Sequence, residues 1–161
     1  MKRPYGDDPA VAARAVADAN RYMTLSTADA DGLPWASPVW FAAADDLSEL
    51  LWVSEPGARH SRNIAARPQV GVVIFDSQAE VGAAQALYAS AFAEELEGDA
   101  IERGIALFAA RSEEQGLRAW STADVRAPAR HRLYRATLRE CFVLEALVDR
   151  RVAVPGIGTG G

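Results

Sequence analysis

Residues 52–68 read WVSEPGARHSRNIAARP, and the character of the chain changes twice within this stretch. An apolar, strand-like run gives way to a Pro-Gly turn and then to a short basic helix predicted over 58–66. The start of a helix presents unpaired backbone N–H groups and the positive end of the helix dipole. Arg59, His60 and Arg62 add donors beside them. The junction therefore predicts an anion site that would accept a phosphate, the alternative being a turn whose basic side chains only face water.

The patterns on either side of this junction predict a mainly β fold with flanking helices. Runs rich in β-branched and aromatic residues predict strands over 22–27, 35–43, 49–54, 70–75, 84–93, 132–138 and 141–147. The DADG sequence at 29–32 joins the first pair as a hairpin, since Gly32 is free to adopt a positive φ. Seven short strands with few helices favour a β-barrel.

Two longer helices are predicted outside the strands. Asp8-Pro9 is typical of a helix start, with an N-cap followed by proline at the first helical position, and the Ala-rich segment after it predicts a helix to about residue 20. Residues 98–115 place Ile101, Ile105 and Phe108 at helical spacing between charged residues. This pattern predicts an amphipathic helix that flanks the barrel.

Composition limits the classes of function that the chain can serve. The 161 residues are 50% apolar, which suits a single domain with a substantial core, and the net charge is -5. Such a chain lacks the broad basic surface that nucleic-acid binding requires. The charged start resembles no signal peptide, and no apolar run approaches the ~20 residues of a membrane span. We therefore expect a soluble, cytoplasmic protein with neither a nucleic-acid nor a membrane partner.

The chain divides into an N-terminal helical segment at 1–20, a barrel domain at 21–147 and a Gly-rich tail at 148–161 that we expect to be mobile. The last seven residues, PGIGTGG, superficially match a dinucleotide-binding fingerprint. That fingerprint needs a strand before it and a helix after it, and this segment provides neither, so a dinucleotide loop is not expected here.

Common catalytic and metal-binding arrangements are absent from the sequence. The two histidines, His60 and His131, are far apart and belong to no ligand-spaced cluster, so no metal site is expected. Cys141 lies in an apolar alternation that is typical of a core residue rather than a nucleophile. If the chain is an enzyme, a bound cofactor must carry the chemistry, and flavins do so while requiring mainly binding and orientation from the protein.

Five segments together carry a resemblance to a known family. They are YMTLSTADADGLPWASPVWF (22–41), LLWVS (50–54), ARHSRNIAARPQVGVVIFD (58–76), YASAFAEEL (88–96) and RLYRATLRECFVLE (132–145). In this order the chain, over about residues 15–147, resembles the pyridoxamine 5'-phosphate oxidase-like flavin-binding split barrels. Members share a D-x-D-G-x-P turn and a later S-R-K-x-x-N-L-x-x-x-P-x-V segment that holds the phosphate of FMN.

The resemblance implies a set of cofactor-binding residues. Those around the phosphate are Val53, Ser54, Arg59, His60 and Ser61, and those along the flavin ring are Ser37, Pro38, Val39, Trp40 and, at the ring edge, Gln85. Arg59 matches the family's phosphate-binding arginine, whereas His60 stands where lysine is common. Because histidine has an ordinary pKa of ~6.5, His60 would be a poorer permanent partner for phosphate than lysine. Ser61 can replace the serine that the family often has at position 58.

The same resemblance implies an oxidoreductase that binds FMN in a groove between the subunits of a homodimer and acts on a small molecule, with a nicotinamide as one candidate donor. Three alternatives stay open: a flavin-binding or redox-sensing module without turnover, a barrel that binds the deazaflavin coenzyme F-420, and a haem-binding barrel. The chain does not end in the basic segment that grips the substrate of true pyridoxamine phosphate oxidases. We therefore do not expect that activity, and the catalytic residues stay unassigned.

Overall fold

The computed structural model of this chain describes residues 7–144 and 149–158. Its elements in chain order are α1 (Pro9–Ala19), β1 (Tyr22–Ala28), β2 (Pro34–Trp40), β3 (Ala42–Ala43), β4 (Glu49–Ser54), α2 (Arg59–Ala66), β5 (Gln69–Phe75), β6 (Ala86–Glu95), α3 (Asp99–Glu114), α4 (Thr122–Val125), β7 (Arg132–Leu144) and β8 (Arg151–Ala153). No helix in these ranges is long and apolar enough to cross a membrane.

Local sequence signals account for the first helix and the first hairpin. The side chain of Asp8 accepts a hydrogen bond of 2.8 Å from the backbone N–H of Ala10, and Pro9 occupies the first helical turn. In the β1–β2 turn, the carboxylate of Asp29 accepts hydrogen bonds from two backbone N–H groups while Gly32 adopts a φ of 87°. Both predictions are confirmed, because they depend only on neighbours in the chain.

The strands form one antiparallel sheet that curls into a split barrel. Their order is β2-β1-β5-β6-β7-β4-β3, with β8 paired to β7. Strands β2 and β3 lie at opposite ends of this order, yet only Phe41 separates them in the chain. The two ends of the sheet must therefore meet at Phe41, and from there β2 and β4 run side by side without pairing to each other. The predicted split barrel is confirmed.

Two apolar clusters hold the barrel and its helices together. The barrel interior includes the fully buried Leu25, Ile74 and Trp52, and one face of α1 packs against it. A second cluster joins α3 to the outside of the barrel through Ile105, Phe108 and their neighbours. At ~25 cal/mol per Å² of apolar surface, these clusters are the main source of stability.

The division of the chain into strands differs from the sequence prediction in two places, and β6 begins and ends two residues later than the predicted run at 84–93. The run at 35–43 is two strands, because the chain leaves β1 after Trp40 and joins β4 after Phe41. The runs at 132–138 and 141–147 are a single strand, β7, which ends at Leu144 within the described residues. A bulge opposite Ser90 and Ala91 places Arg139 and Glu140 both outside, and this break in alternation is why the sequence suggested two strands.

The predicted tail also contains a regular element. Residues 151–153 form β8, which pairs with Phe142–Leu144 of β7 and extends the sheet at that point. Val154 is buried at 6% exposure against the barrel core. Backbone pairing and apolar burial therefore place residues 151–154 against the barrel, and the mobility expected of the tail stays a prediction. Residues 145–148 and 159–161, which complete the predicted strand and tail, lie outside the described residues.

Candidate functional site

The side chain of His60 bridges the open side of the barrel. Its Nε2 lies 2.7 Å from Ser54 Oγ at the end of β4, and its Nδ1 lies 3.2 Å from Ser37 Oγ on β2. Strands β2 and β4 have no direct ladder between them, so this Ser-His-Ser link spans the split. Helix α2 supplies the bridging residue because it starts just after β4 and packs against β1 and β2.

Burial determines the charge of this bridge. Desolvation lowers the pKa of His60 below its ordinary value, so the imidazole is neutral at neutral pH. A neutral ring has one donor and one acceptor nitrogen, which matches two serine hydroxyls that can each donate or accept. His60 therefore acts as a hydrogen-bonding link rather than as a cation.

The start of α2 offers donors to an anion. The N-cap residue, Ala58, has no side chain that can cap the helix, so the first backbone N–H groups keep no intrahelical or side-chain acceptor. The guanidinium carbon of Arg59 lies 4.2 Å from the centre of the Trp35 ring. Within 7–144 and 149–158, Arg59 takes part in no ion pair with a carboxylate. Its charge, in the first turn of α2, is thus not neutralised by a carboxylate of the described residues.

Two adjoining cavities of about 530 and 550 Å³ lie along the split, and together they are called the groove here. The smaller cavity, at the start of α2, is lined by Val53, Ser54, Glu55, Gly57, Ala58 and His131. The larger is lined by Tyr22, Pro38, Val39, Trp40, Val53, Ser54, His60, Phe108, Ser112, Leu117, Arg118, Trp120 and His131. The two cavities adjoin, since both are lined by Val53, Ser54 and His131, and their size is that of ordinary small-molecule sites.

A row of rings, the aromatic arc, forms one wall of the larger cavity. Trp40 meets Phe108 edge to face at 4.9 Å, Phe108 meets Trp120 at 5.8 Å, and Trp120 meets His131 at 5.8 Å between ring centres. The indole N–H of Trp40 donates to Gln115 Oε1 at 3.0 Å. Edge-to-face contacts fix ring orientations, so the arc is a rigid apolar wall.

The structure brings together most of the residues predicted for the site. Pro38, Val39, Trp40, Val53, Ser54 and His60 line the groove, and Ser37 joins it through His60. Arg59 stacks on Trp35 and lines neither cavity itself, although its neighbours Ala58 and His60 line the groove. Their roles in cofactor binding stay predictions. Ser54 and His60 form a hydrogen bond with each other, so they are not two independent donors to a phosphate.

Two predicted residues lie elsewhere. Ser61 is buried and lines a separate cavity with Tyr134, because the next residue along a helix turns about 100° away from the face of His60. Gln85 precedes β6, in the loop after β5, and lines neither cavity of the groove. The structure therefore gives neither residue a place beside the other candidates.

Seven residues that line the larger cavity were not predicted for the site: Tyr22, Phe108, Ser112, Leu117, Arg118, Trp120 and His131. In the sequence, the spacing of Phe108 indicates only a core-facing position on α3, and Trp120 follows that helix in a segment without hydrophobic periodicity. Cys141, by contrast, is a core residue as predicted, and burial raises the pKa of its thiol to about 12. Among the described residues, no group of three or more His, Cys, Asp or Glu side chains is placed to hold a metal ion.

The residues present fit a planar group that carries a phosphate. The uncapped start of α2 and the guanidinium of Arg59 suit an anion. Val39 and Trp40 of β2 offer apolar surface in the larger cavity. The bridge of Ser37, His60 and Ser54 lies between these regions and can hydrogen-bond a ligand's polar atoms. A phosphate at one end and a ring along β2 is the arrangement that FMN would require.

Solved structures share this fold at low sequence identity. A haem-binding protein from Mycobacterium smegmatis matches with a TM-score of 0.67 and 19% identity over 88% of this chain, which spans only 55% of that protein. An FAD-binding protein from Mesorhizobium loti matches with a TM-score of 0.59 and 20% identity, covering 83% of this chain and 92% of that protein. An F420 reductase matches with a TM-score of 0.54 and 19% identity, covering 74% and 87%.

At these identities the likeness establishes the fold alone. A search of curated proteins gives no match to this sequence. The family model described as pyridoxamine 5'-phosphate oxidase matches residues 11–143, which include every strand from β1 to β6 and nearly all of β7. The chain therefore belongs to the pyridoxamine 5'-phosphate oxidase family of split-barrel proteins.

Proposed function

We propose that the groove binds FMN and that the protein is a flavin-dependent oxidoreductase acting on a small molecule. The observation that carries the proposal is the conjunction of an uncapped helix start, a free guanidinium and an adjoining apolar cavity. Each feature alone is common in proteins. Together they match a ligand that has an anionic end and a flat apolar body.

Arg59 and the first N–H groups of α2 would hold the phosphate. The charge of the phosphate needs these donors, because His60 is neutral. Glu55, a carboxylate that lines the smaller cavity, is paired with Arg130 at 2.7 Å. Bidentate contact with a guanidinium would also fix the orientation of the phosphate. Helix α2 therefore serves as the anchor of the cofactor.

Strand β2 would hold the ring. Val39 and Trp40 offer side-chain surface, and the outer edge of β2 offers backbone groups that no neighbouring strand uses. A bound flavin supplies two-electron hydride transfer, so the chain needs no nucleophile or metal of its own. The residues of the groove orient the ring and keep water from its covered face.

We also propose a homodimer whose second subunit covers the groove. Three large apolar side chains of the β1–β2 hairpin are exposed: Tyr22 at 59%, which lines the larger cavity, Trp35 at 42%, which contacts Arg59, and Leu33 at 57%, at the hairpin turn. Exposed apolar side chains on a hairpin that borders an open cavity are typical of an interface. A second subunit would bury them and enclose a ligand that one subunit leaves half open.

Haem is a second candidate because His131 lies in both cavities of the groove. His60 suits iron less well, since both of its ring nitrogens are within hydrogen-bond distance of serine hydroxyls. If the groove binds haem, His131→Ala should abolish the shift of the Soret band on titration with hemin, whereas His60→Gln should preserve it.

Identification of the co-purifying small molecule tests the proposal. The protein should be yellow, should show a flavin absorption spectrum and should release FMN on denaturation, as identified by mass spectrometry. Oxidation of NADH or NADPH by the loaded protein would support turnover and would separate the enzyme from a redox-sensing module. A released deazaflavin or haem, or failure of the purified protein to bind added FMN, would contradict the assignment.

A further inference from the structure

Ser54 and His60 form a pair that matches an activated serine. Ser54 Oγ lies 2.7 Å from His60 Nε2, which is the separation of a nucleophile from its general base. Both side chains are half-buried and line the larger cavity, so a molecule in the groove can reach them. A base that shares a hydrogen bond with a hydroxyl can take up its proton as the oxygen attacks. The pair therefore has the geometry of covalent catalysis by a serine.

Ser37 completes the arrangement as a positioning residue. Its Oγ lies 3.2 Å from His60 Nδ1, the ring nitrogen that does not face Ser54. When this hydroxyl accepts a hydrogen bond from Nδ1–H, the ring proton stays at Nδ1 and the lone pair of Nε2 faces Ser54. Ser37 lines neither cavity of the groove, so Ser54 is the hydroxyl that a substrate meets. Because Ser37 is neutral, it orients the imidazole but stabilises its charged form less than a carboxylate would.

The surroundings of the pair favour attack on an acyl carbon. Desolvation lowers the pKa of His60, so its ring is unprotonated at neutral pH and Nε2 can accept a proton. Gly57 and Ala58, which directly precede α2, line the smaller cavity with Ser54. An acyl group beside Ser54 in this cavity therefore lies near the positive end of the helix. That end stabilises the oxyanion that forms when a hydroxyl attacks a carbonyl group.

We propose that Ser54 is the nucleophile of an acyl-transfer site that hydrolyses carboxylic esters, with His60 as its general base. The oxygen of Ser54 bonds to the carbonyl carbon of the ester while its proton passes to Nε2 of His60. The ester C–O bond then breaks, and the leaving alkoxide takes that proton and departs as the alcohol. Water attacks the acyl-Ser54 and gives a proton to His60, which returns it to the oxygen of Ser54 as the carboxylic acid leaves.

The acyl-transfer site does not rest on the proposed flavin function. In that function, Arg59 and the first N–H groups of α2 hold the phosphate of FMN, whereas the acyl transfer needs Ser54 and His60. An ester in the smaller cavity would exclude that phosphate. The acyl transfer therefore belongs to the flavin-free protein, and bound FMN should slow it.

Two probes test the acyl-transfer site on the full chain freed of any flavin: p-nitrophenyl acetate and diisopropyl fluorophosphate, which reacts with activated serines. Peptide mass spectrometry should locate both the acetyl and the phosphoryl label on Ser54. Ser54→Ala should lose both labels. His60→Gln should slow both reactions by about 100-fold, since general-base catalysis contributes about 10²–10⁴-fold. The matched control is Ser90→Ala, which removes a hydroxyl from β6 that bonds Glu140, and it should keep both rates.

Two further variants separate chemistry from structure. His60→Gln keeps groups that can hydrogen-bond both serines, so a folded but unreactive variant means that the imidazole acts as a base. Ser37→Ala should slow the labelling of Ser54 by about 3- to 10-fold, the effect of one neutral hydrogen bond. Ser37→Thr, which keeps the hydroxyl, should restore the rate. Thermal unfolding of each variant shows that it is folded.

Three results would overturn the acyl-transfer site. They are labels found only on other side chains, equal rates in the parent and in a folded His60→Gln, and a folded, flavin-free parent that neither probe labels. If Ser54 is labelled and the protein binds no added FMN, the acyl-transfer site stands and the proposed flavin function fails.

Discussion

Arg59→Ala tests the anion site at the start of α2. In the parent, the guanidinium is half-buried against Trp35 at 4.2 Å and has no carboxylate partner among the described residues, so its charge can serve a phosphate. A hydrogen bond to a charged group contributes about 1.5–3 kcal/mol, which corresponds to roughly 10- to 100-fold in affinity. The backbone N–H groups of α2 remain in the variant, so FMN binding should weaken by this amount without being abolished.

Comparison of two flavins isolates the phosphate. FMN and riboflavin share the ring, so Arg59→Ala should reduce the affinity for FMN and leave that for riboflavin nearly unchanged. The matched control is Arg67→Ala, which removes the same charge at the other end of α2, where Arg67 bonds the backbone oxygens of Asp29 and Ala30. Its effect on FMN binding should be small, because it lies a full helix length away.

Titration of the parent and the two variants with each flavin, followed by fluorescence quenching, gives the six dissociation constants that are needed. Raising the salt concentration should weaken FMN binding to the parent more than to Arg59→Ala, since the Debye length is ~10 Å at 0.1 M. The stability of each variant should be measured as well, because loss of the Arg59–Trp35 contact costs about 0.5–1 kcal/mol at an exposed site. Equal FMN affinity in the parent and in Arg59→Ala would refute the anion site.

Three further predictions concern other parts of the molecule. Cys141→Ser should keep flavin binding and any activity but lose about 1–3 kcal/mol of stability, because it places a hydroxyl in an apolar strand, and abolished turnover in a folded, loaded variant would contradict this. Sedimentation at micromolar concentration should show a homodimer, and a monomer that binds FMN tightly would refute the shared groove. Burial lowers the pKa of His60 in the folded protein, so, as the pH falls through ~6.5, the unfolded chain binds a proton there more readily than the folded chain does. Urea unfolding between about pH 7 and about pH 5 should therefore show a larger loss of stability in the parent than in His60→Gln, and equal losses would contradict a buried, neutral His60.

Sequence alone was sufficient where structure depends on neighbours in the chain. The Asp8 cap, the Gly32 turn and the boundaries of α2 and α3 lie close to their predicted positions, because capping, turn geometry and helical periodicity are local. The family resemblance added the split barrel, which the family match over 11–143 confirms. The strand pattern misled at 35–43, where the chain changes its pairing partner at Phe41, and on β7, where a bulge places Arg139 and Glu140 on the same side.

The groove needed the tertiary structure, because its lining residues come from five separate parts of the chain. The family resemblance assigned Ser37, Ser54 and His60 to flavin binding as separate residues. Only the folded structure shows that they form a single hydrogen-bonded bridge across the split. No sequence pattern linked Ser112 or Trp120 to that site. Helix α3 brings them there because its apolar face packs against the outside of the barrel, and such long-range packing leaves no local signature in the chain.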